Sequence, residues 1–141
     1  MIIAVDFDGT IVTHEYPKIG KELPFAIDTL KRLQKEYHQL ILWTYREGKE
    51  LQEAVEFCRA RGLEFYAVNS NYPGAKPEGH PRKLNAELFI DDRNLGGLPD
   101  WGVIYQMIKS GNPHKPLENS ELNDESSNVQ KFNMFKKLMK R

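Results

Sequence analysis

Apolar residues fall in short unbroken runs along this chain, and between the runs they recur at helical spacing. Ile2–Val5 is apolar at every position and ends against an acid, the pattern of a short strand buried on both faces. Pro24 opens a predicted helix, since proline fits the first helical turn, with Ala26, Ile27, Leu30, Leu33 and Tyr37 facing inward. Leu40–Trp43 repeats the strand pattern. Beyond it, Leu51, Val55 and Cys58 share one face of a second helix, with Gly62 just past its end. Further strands are predicted over Leu63–Val68 and Leu88–Ile90. Asp100 is placed to cap a last helix that carries Trp101, Ile104, Tyr105 and Ile108 inward as far as Gly111. Strands with little alternation, separated by amphipathic helices, imply a mainly parallel sheet covered on both faces. The fold class expected is α/β, a Rossmann-like three-layer α/β/α sandwich.

The pattern stops after Gly111, so the globular domain is expected over residues 1–111. Residues 112–128 hold two prolines, many Ser, Asn and acidic residues and few large apolar ones, the composition of a linker. Residues 129–141 carry five basic residues and no acid. Val129, Phe132, Phe135, Leu138 and Met139 fall near helical spacing there, which predicts a basic amphipathic segment able to engage a partner, a second copy of the chain or an anionic surface.

Composition narrows the function. At 141 residues the chain suits one domain with a real core, and 40% apolar with 28% charged residues is the balance of a soluble globular protein. Twenty basic and twenty acidic residues cancel, so no global field recruits nucleic acid or lipid. No apolar run approaches the roughly 20 residues of a membrane-spanning helix. The opening Met1–Val5 meets Asp6 too soon for a signal peptide. The single Cys58 cannot form an internal disulfide and reads as a small core residue, so a cytoplasmic location is expected.

Reactive groups in parallel α/β sheets gather at the carboxyl ends of the strands. The first strand here runs into Asp6-Phe7-Asp8-Gly9-Thr10, the second into Thr44-Tyr45-Arg46, the last into Asp91-Asp92-Arg93. Four carboxylates converging on one edge repel one another unless a hard cation compensates them. Magnesium, which takes oxygen ligands and leaves positions for water and phosphate, is the expected cofactor. Such a site serves phosphoryl transfer, with one carboxylate as nucleophile and a second as general acid and base. Gly9 permits close backbone approach, so its amide is a candidate donor to phosphoryl oxygens, joined by Thr44 and a lysine.

Asp6-Phe7-Asp8-Gly9-Thr10-Ile11-Val12 resembles motif I of the haloacid dehalogenase superfamily, one of its most specific signatures. The apolar strands ending in Thr44 and in Asp91-Asp92 are similar to its motifs II and IV, and the resemblance covers roughly Met1 to Ser110. It implies Asp6 as nucleophile and metal ligand, and Asp8 as acid/base that also offers its backbone carbonyl to the metal. It further implies Thr44 on the phosphoryl group, Asp91 on magnesium, and Asp92 in support. The motif III lysine is expected at Lys83, at the start of a short helix leading into the last strand, with Lys76 as the alternative. The second motif I aspartate favours phosphatase over dehalogenase or ion-pump chemistry. The interval Ile11–Leu23 is 13 residues and only 19 separate Val68 from Leu88, too few for a cap domain. An open, capless site is expected, one that admits bulky substrates or is covered by a second subunit.

Arg46 and Arg93 read either as leaving-group ligands or as surface ion pairs. His14 and His80 read as solvated loop residues or as gates to the cleft, and Trp43 and Trp101 as packing. The function expected is a magnesium-dependent phosphomonoesterase acting on a phosphorylated substrate through an aspartyl-phosphate. Three alternatives use the same fold, one of them an interaction protein that binds a partner through the basic tail. A receiver-like phospho-switch would place its paired acids after the first strand, whereas here the Asp-Asp pair comes late. A polynucleotide-end phosphatase fits the Asp-Asp-Arg ending of the last strand, but neutral charge provides no basic track.

Overall fold

A computed structural model of the chain describes residues 1–75 and 83–115. Residues 1–111 form a compact unit, and a second unit begins at Asn112. The elements are β1 (Ile2–Val5), α1 (Ala26–Lys35), β2 (Gln39–Leu42), α2 (Gly48–Arg59), β3 (Ala67–Val68), β4 (Leu88–Ile90) and α3 (Trp101–Lys109). The four strands form one sheet in the order β3-β2-β1-β4, parallel throughout. The α/β class with a parallel sheet follows the expectation from the chain's pattern, and no cap domain interrupts the described residues.

Both faces of the sheet are apolar, as a parallel sheet requires. Ile3 and Val5 of β1, Leu40 and Leu42 of β2 and Ile90 of β4 join the larger core cluster. Its remaining members include Ile27, Leu30 and Leu33 of α1, Ala54 and Cys58 of α2, and Trp101, Ile104, Tyr105 and Ile108 of α3. Fully burying each such large apolar side chain contributes about 1.5–3 kcal/mol. The alternate positions Ala4, Ile41 and Ala67 form a smaller cluster with Leu84, edged by Ile2, Trp43, Ala86 and Phe89. No helix among the described residues is long and apolar enough to cross a membrane.

Several local expectations shift. Tyr37 is 93% exposed: α1 ends at Lys35, and Tyr37 adopts a left-handed φ of 67° to turn the chain toward β2, which takes it off the inward stripe. The third strand shortens to Ala67–Val68, because only these residues pair with Ile41 and Leu42, while Leu63 is buried in the core outside the ladder. Asp100 precedes α3 but its side chain makes no capping hydrogen bond; only its carbonyl accepts, from the Ile104 amide at 2.9 Å. Residues 83–87 carry no helix.

The order of the strands decides where the site falls. The chain steps from β1 to β2 to β3 on one side and then crosses to β4 on the other side of β1. The crevice of such a sheet opens at that reversal, between the carboxyl ends of β1 and β4.

Candidate active site

Asp6 and Asp91 leave adjacent parallel strands at their carboxyl ends. The β1–β4 ladder continues into the site, because the Asp6 amide donates to the Ile90 carbonyl at 3.0 Å. Asp92 completes the group: one carboxylate oxygen from each of Asp6, Asp91 and Asp92 lies within 4.8 Å of the others. Thr10 fastens the two sides together. Its hydroxyl donates to Asp6 Oδ2 at 3.3 Å and accepts from the Asp92 amide at 3.1 Å, while its carbonyl receives the indole N–H of Trp101 at 3.0 Å.

Gly9 is required for this crowding. It adopts a φ of +82°, and a Cβ there would stand 2.3 Å from Asp92 Oδ2. Its amide, expected from the sequence to bind a phosphoryl oxygen, instead donates to the Val12 carbonyl at 2.7 Å. Gly9 therefore serves close approach of the aspartates rather than direct phosphate binding.

The electrostatics of the three aspartates favour a cation. Burial, with the neighbouring charges of Asp91 and Asp92 and a hydrogen bond to Asp92, pushes Asp6 up to about 7 against the opposing Phe7 amide. Asp92 Oδ1 is buried with no hydrogen-bond partner among the described residues. Close carboxylates, one carrying an orphaned buried oxygen, form a hard, oxygen-only donor set that suits magnesium. Asp6 holds its proton to higher pH in the folded chain than in the unfolded one. The metal-free protein should therefore lose stability as pH rises from about 4 to about 7. Allowing for partial solvent screening, the loss is about 1–2 kcal/mol. Thermal melts in chelator should show this decline in the wild type and a flatter profile in Asp6→Asn. Identical profiles would rule out the crowding.

Asp8 has a different partner. Arg46, two residues beyond Thr44, is fully buried and grips the Asp8 carboxylate with both arms, Nε to Oδ2 at 2.6 Å and Nη2 to Oδ1 at 2.7 Å. The remaining donors reach the carbonyls of Pro17, Lys18 and Glu50 at 3.2, 2.9 and 3.4 Å. The guanidinium lies between the Phe7 and Tyr16 rings, 5.1 and 5.2 Å from their centroids. Arg46 is thus neither a surface ion pair nor a free leaving-group ligand. It ties Asp8, the Thr13–Gly20 loop and the start of α2 together.

Thr44 lies at the end of β2. Its amide donates to Asn69 Oδ1 at 2.8 Å and its hydroxyl accepts from the Arg46 amide at 3.2 Å. Lys83, the expected motif III lysine, lies in the segment just before β4. It is exposed, its ammonium stands 5.1 Å from the Phe89 ring, and it makes no ion pair among the described residues. Lys76 and His80 lie outside the described residues. Arg93 is exposed at the rim, its amide bonded to Asp91 Oδ1 at 2.8 Å and its guanidinium 3.5 Å from His14 Nε2. Trp43 and Trp101 pack as expected, and Cys58 is a buried core thiol.

Sequence reading overlooked Asn69 and the brace at Thr10. The Asn69 signal is weak, a left-handed asparagine just beyond a two-residue strand. Thr10 stands in the Asp-x-Asp-Gly-Thr motif itself, but one of its two bridging bonds reaches a residue 82 positions away.

No protein-family model matches the chain, and no curated protein matches it. Among solved structures, a conserved protein from Bacteroides thetaiotaomicron is similar at 62% identity with a TM-score of 0.74, over 82% of this chain and 98% of that one. The chain belongs to the same family as that conserved protein.

Proposed function

We propose that this chain is a magnesium-dependent phosphomonoesterase that works through a phosphoaspartate on Asp6. The observation that carries the reading is the set of Asp6, Asp91 and Asp92 oxygens within 4.8 Å, with Thr44 at the neighbouring strand end and Asp8 two residues from Asp6. Asp6, Asp91, Asp92 and the Asp8 carbonyl are the groups that would hold the cation, which when bound would offset their mutual repulsion and the charge of a phosphoryl group.

Asp6 then attacks phosphorus: a bond forms from its carboxylate oxygen, and the bond from phosphorus to the leaving oxygen breaks. Asp8, which takes up a proton once one oxygen leaves the Arg46 guanidinium, delivers that proton to the leaving oxygen. In the second step Asp8 takes a proton from water, whose oxygen displaces the Asp6 carboxylate and releases inorganic phosphate. Both Asp8 oxygens rest on Arg46, so one must swing off the guanidinium to reach the leaving group, while the other keeps the side chain aimed. Thr44 donates its hydroxyl proton to a phosphoryl oxygen. The buried single thiol fits a reducing, cytoplasmic setting.

Turnover of a phosphomonoester panel by the full chain is expected with magnesium and should fall at least about a hundredfold in excess EDTA. Activity that chelator leaves intact would rule out the metal-dependent reading.

A further inference from the structure

An open site must bind its leaving group with loops, and the loops at this mouth present two tyrosines. Tyr45 directly follows Thr44 and is 53% exposed; Tyr16, on the loop after β1, is 44% exposed. Their ring centroids stand 5.0 Å apart at an interplanar angle of 62°, an edge contact. Tyr16 also lies over the Arg46 guanidinium, 5.2 Å from its centroid, and Arg46 holds Asp8. The aromatic pair therefore sits on the side chains that would hand a proton to the leaving oxygen. Arg93 and His14 form a polar rim.

The platform is braced before any substrate arrives. The Pro17 and Lys18 carbonyls accept from Arg46, and Thr13 and Lys21 bond to each other twice, through the Thr13 amide at 2.7 Å and the Lys21 amide at 2.9 Å. Gly20 packs so closely that a Cβ on it would stand 2.0 Å from the Thr13 carbonyl oxygen. Tyrosine provides a large, stiff ring with few rotatable bonds, so little ordering remains for a flat ligand to impose.

We propose that Tyr16 and Tyr45 form the leaving-group site of this centre, and that it selects phosphomonoesters whose leaving group carries a flat aromatic ring. The inference rests on the phosphomonoesterase reading. A ring attached directly to the ester oxygen and a nucleobase carried on a sugar share this chemistry, and the two are separated by experiment.

The test is the ratio of kcat/KM for an aromatic ester to kcat/KM for glycerol 3-phosphate, measured on the full chain with magnesium. Phenyl phosphate forms one arm and a 5′-nucleoside monophosphate the other; the arm in which the ratio responds identifies the source of the ring. Tyr45→Ala should lower the ratio about tenfold or more, because ring stacking is lost, and Tyr45→Phe should keep it near wild type. Comparing variants cancels the intrinsic difference in leaving-group reactivity. A ratio that Tyr45→Ala leaves unchanged in both arms, or that Tyr45→Phe lowers equally, overturns the proposal. A chain that hydrolyses none of these esters defeats the phosphatase reading instead. Binding to Asp6→Asn, followed by tyrosine fluorescence, then decides the aromatic site independently. Phenyl phosphate or the nucleotide binding about tenfold more tightly than inorganic phosphate upholds it, and equal binding overturns it.

Discussion

Arg46→Met is expected to destabilise the fold by about 3–5 kcal/mol, the usual cost of stranding one member of a buried ion pair. Both side chains are inaccessible to solvent, so water does not replace the two charge-assisted bonds that Asp8 loses. The Pro17, Lys18 and Glu50 carbonyls lose their donor as well, and the Phe7 and Tyr16 rings lose the cation between them. Urea or thermal denaturation reads the effect directly. Most of the cost comes from the abandoned carboxylate, so adding Asp8→Asn to the Arg46→Met background should recover a large part of it. If the single substitution costs under about 1 kcal/mol, the pair contributes no more than a surface contact. Arg46→Lys should fall between, since an ammonium reproduces the charge but not the two-armed grip.

Asp6→Asn should lower kcat by about ten-thousandfold or more, because an amide cannot form the phosphoaspartate. The same substitution should leave the metal-free protein at least as stable as wild type above pH 7, since it removes one of three crowded acids. An inactive yet stable variant is what separates a nucleophile from a structural residue, and fits the common trade of stability for function at active sites. Steady-state turnover with magnesium and a melt in chelator provide both readings. Residual activity near wild type would end the phosphoaspartate mechanism. A large loss of stability would instead make Asp6 a packing residue whose effect on turnover is indirect.

The positions of Asp6, Asp91 and Thr44 were legible along the chain because the relevant physics is local. An apolar run with no polar alternation is a buried parallel strand, and the residue that ends it emerges at the carboxyl edge. The Gly9 requirement was half legible: glycine announced a close approach, but only the fold showed that Asp92 is what approaches and that the amide is committed to Val12. Helical periodicity likewise selected Ile27, Leu30 and Leu33 correctly, yet included Tyr37, because a stripe of side chains does not record where the backbone leaves the helix.

What the sequence by itself determined is therefore the α/β class, the parallel strands, and the edge of the sheet on which four aspartates and a threonine emerge. Tertiary structure alone decided how those groups are partnered. It joined Asp8 to Arg46 across 38 positions, left Lys83 against Phe89, and set Tyr16 beside Tyr45. Hydrophobic burial follows periodicity within one element and can be counted along the chain. Charge pairing and ring contacts depend on distances between elements, which exist only once the strands have taken the order β3-β2-β1-β4.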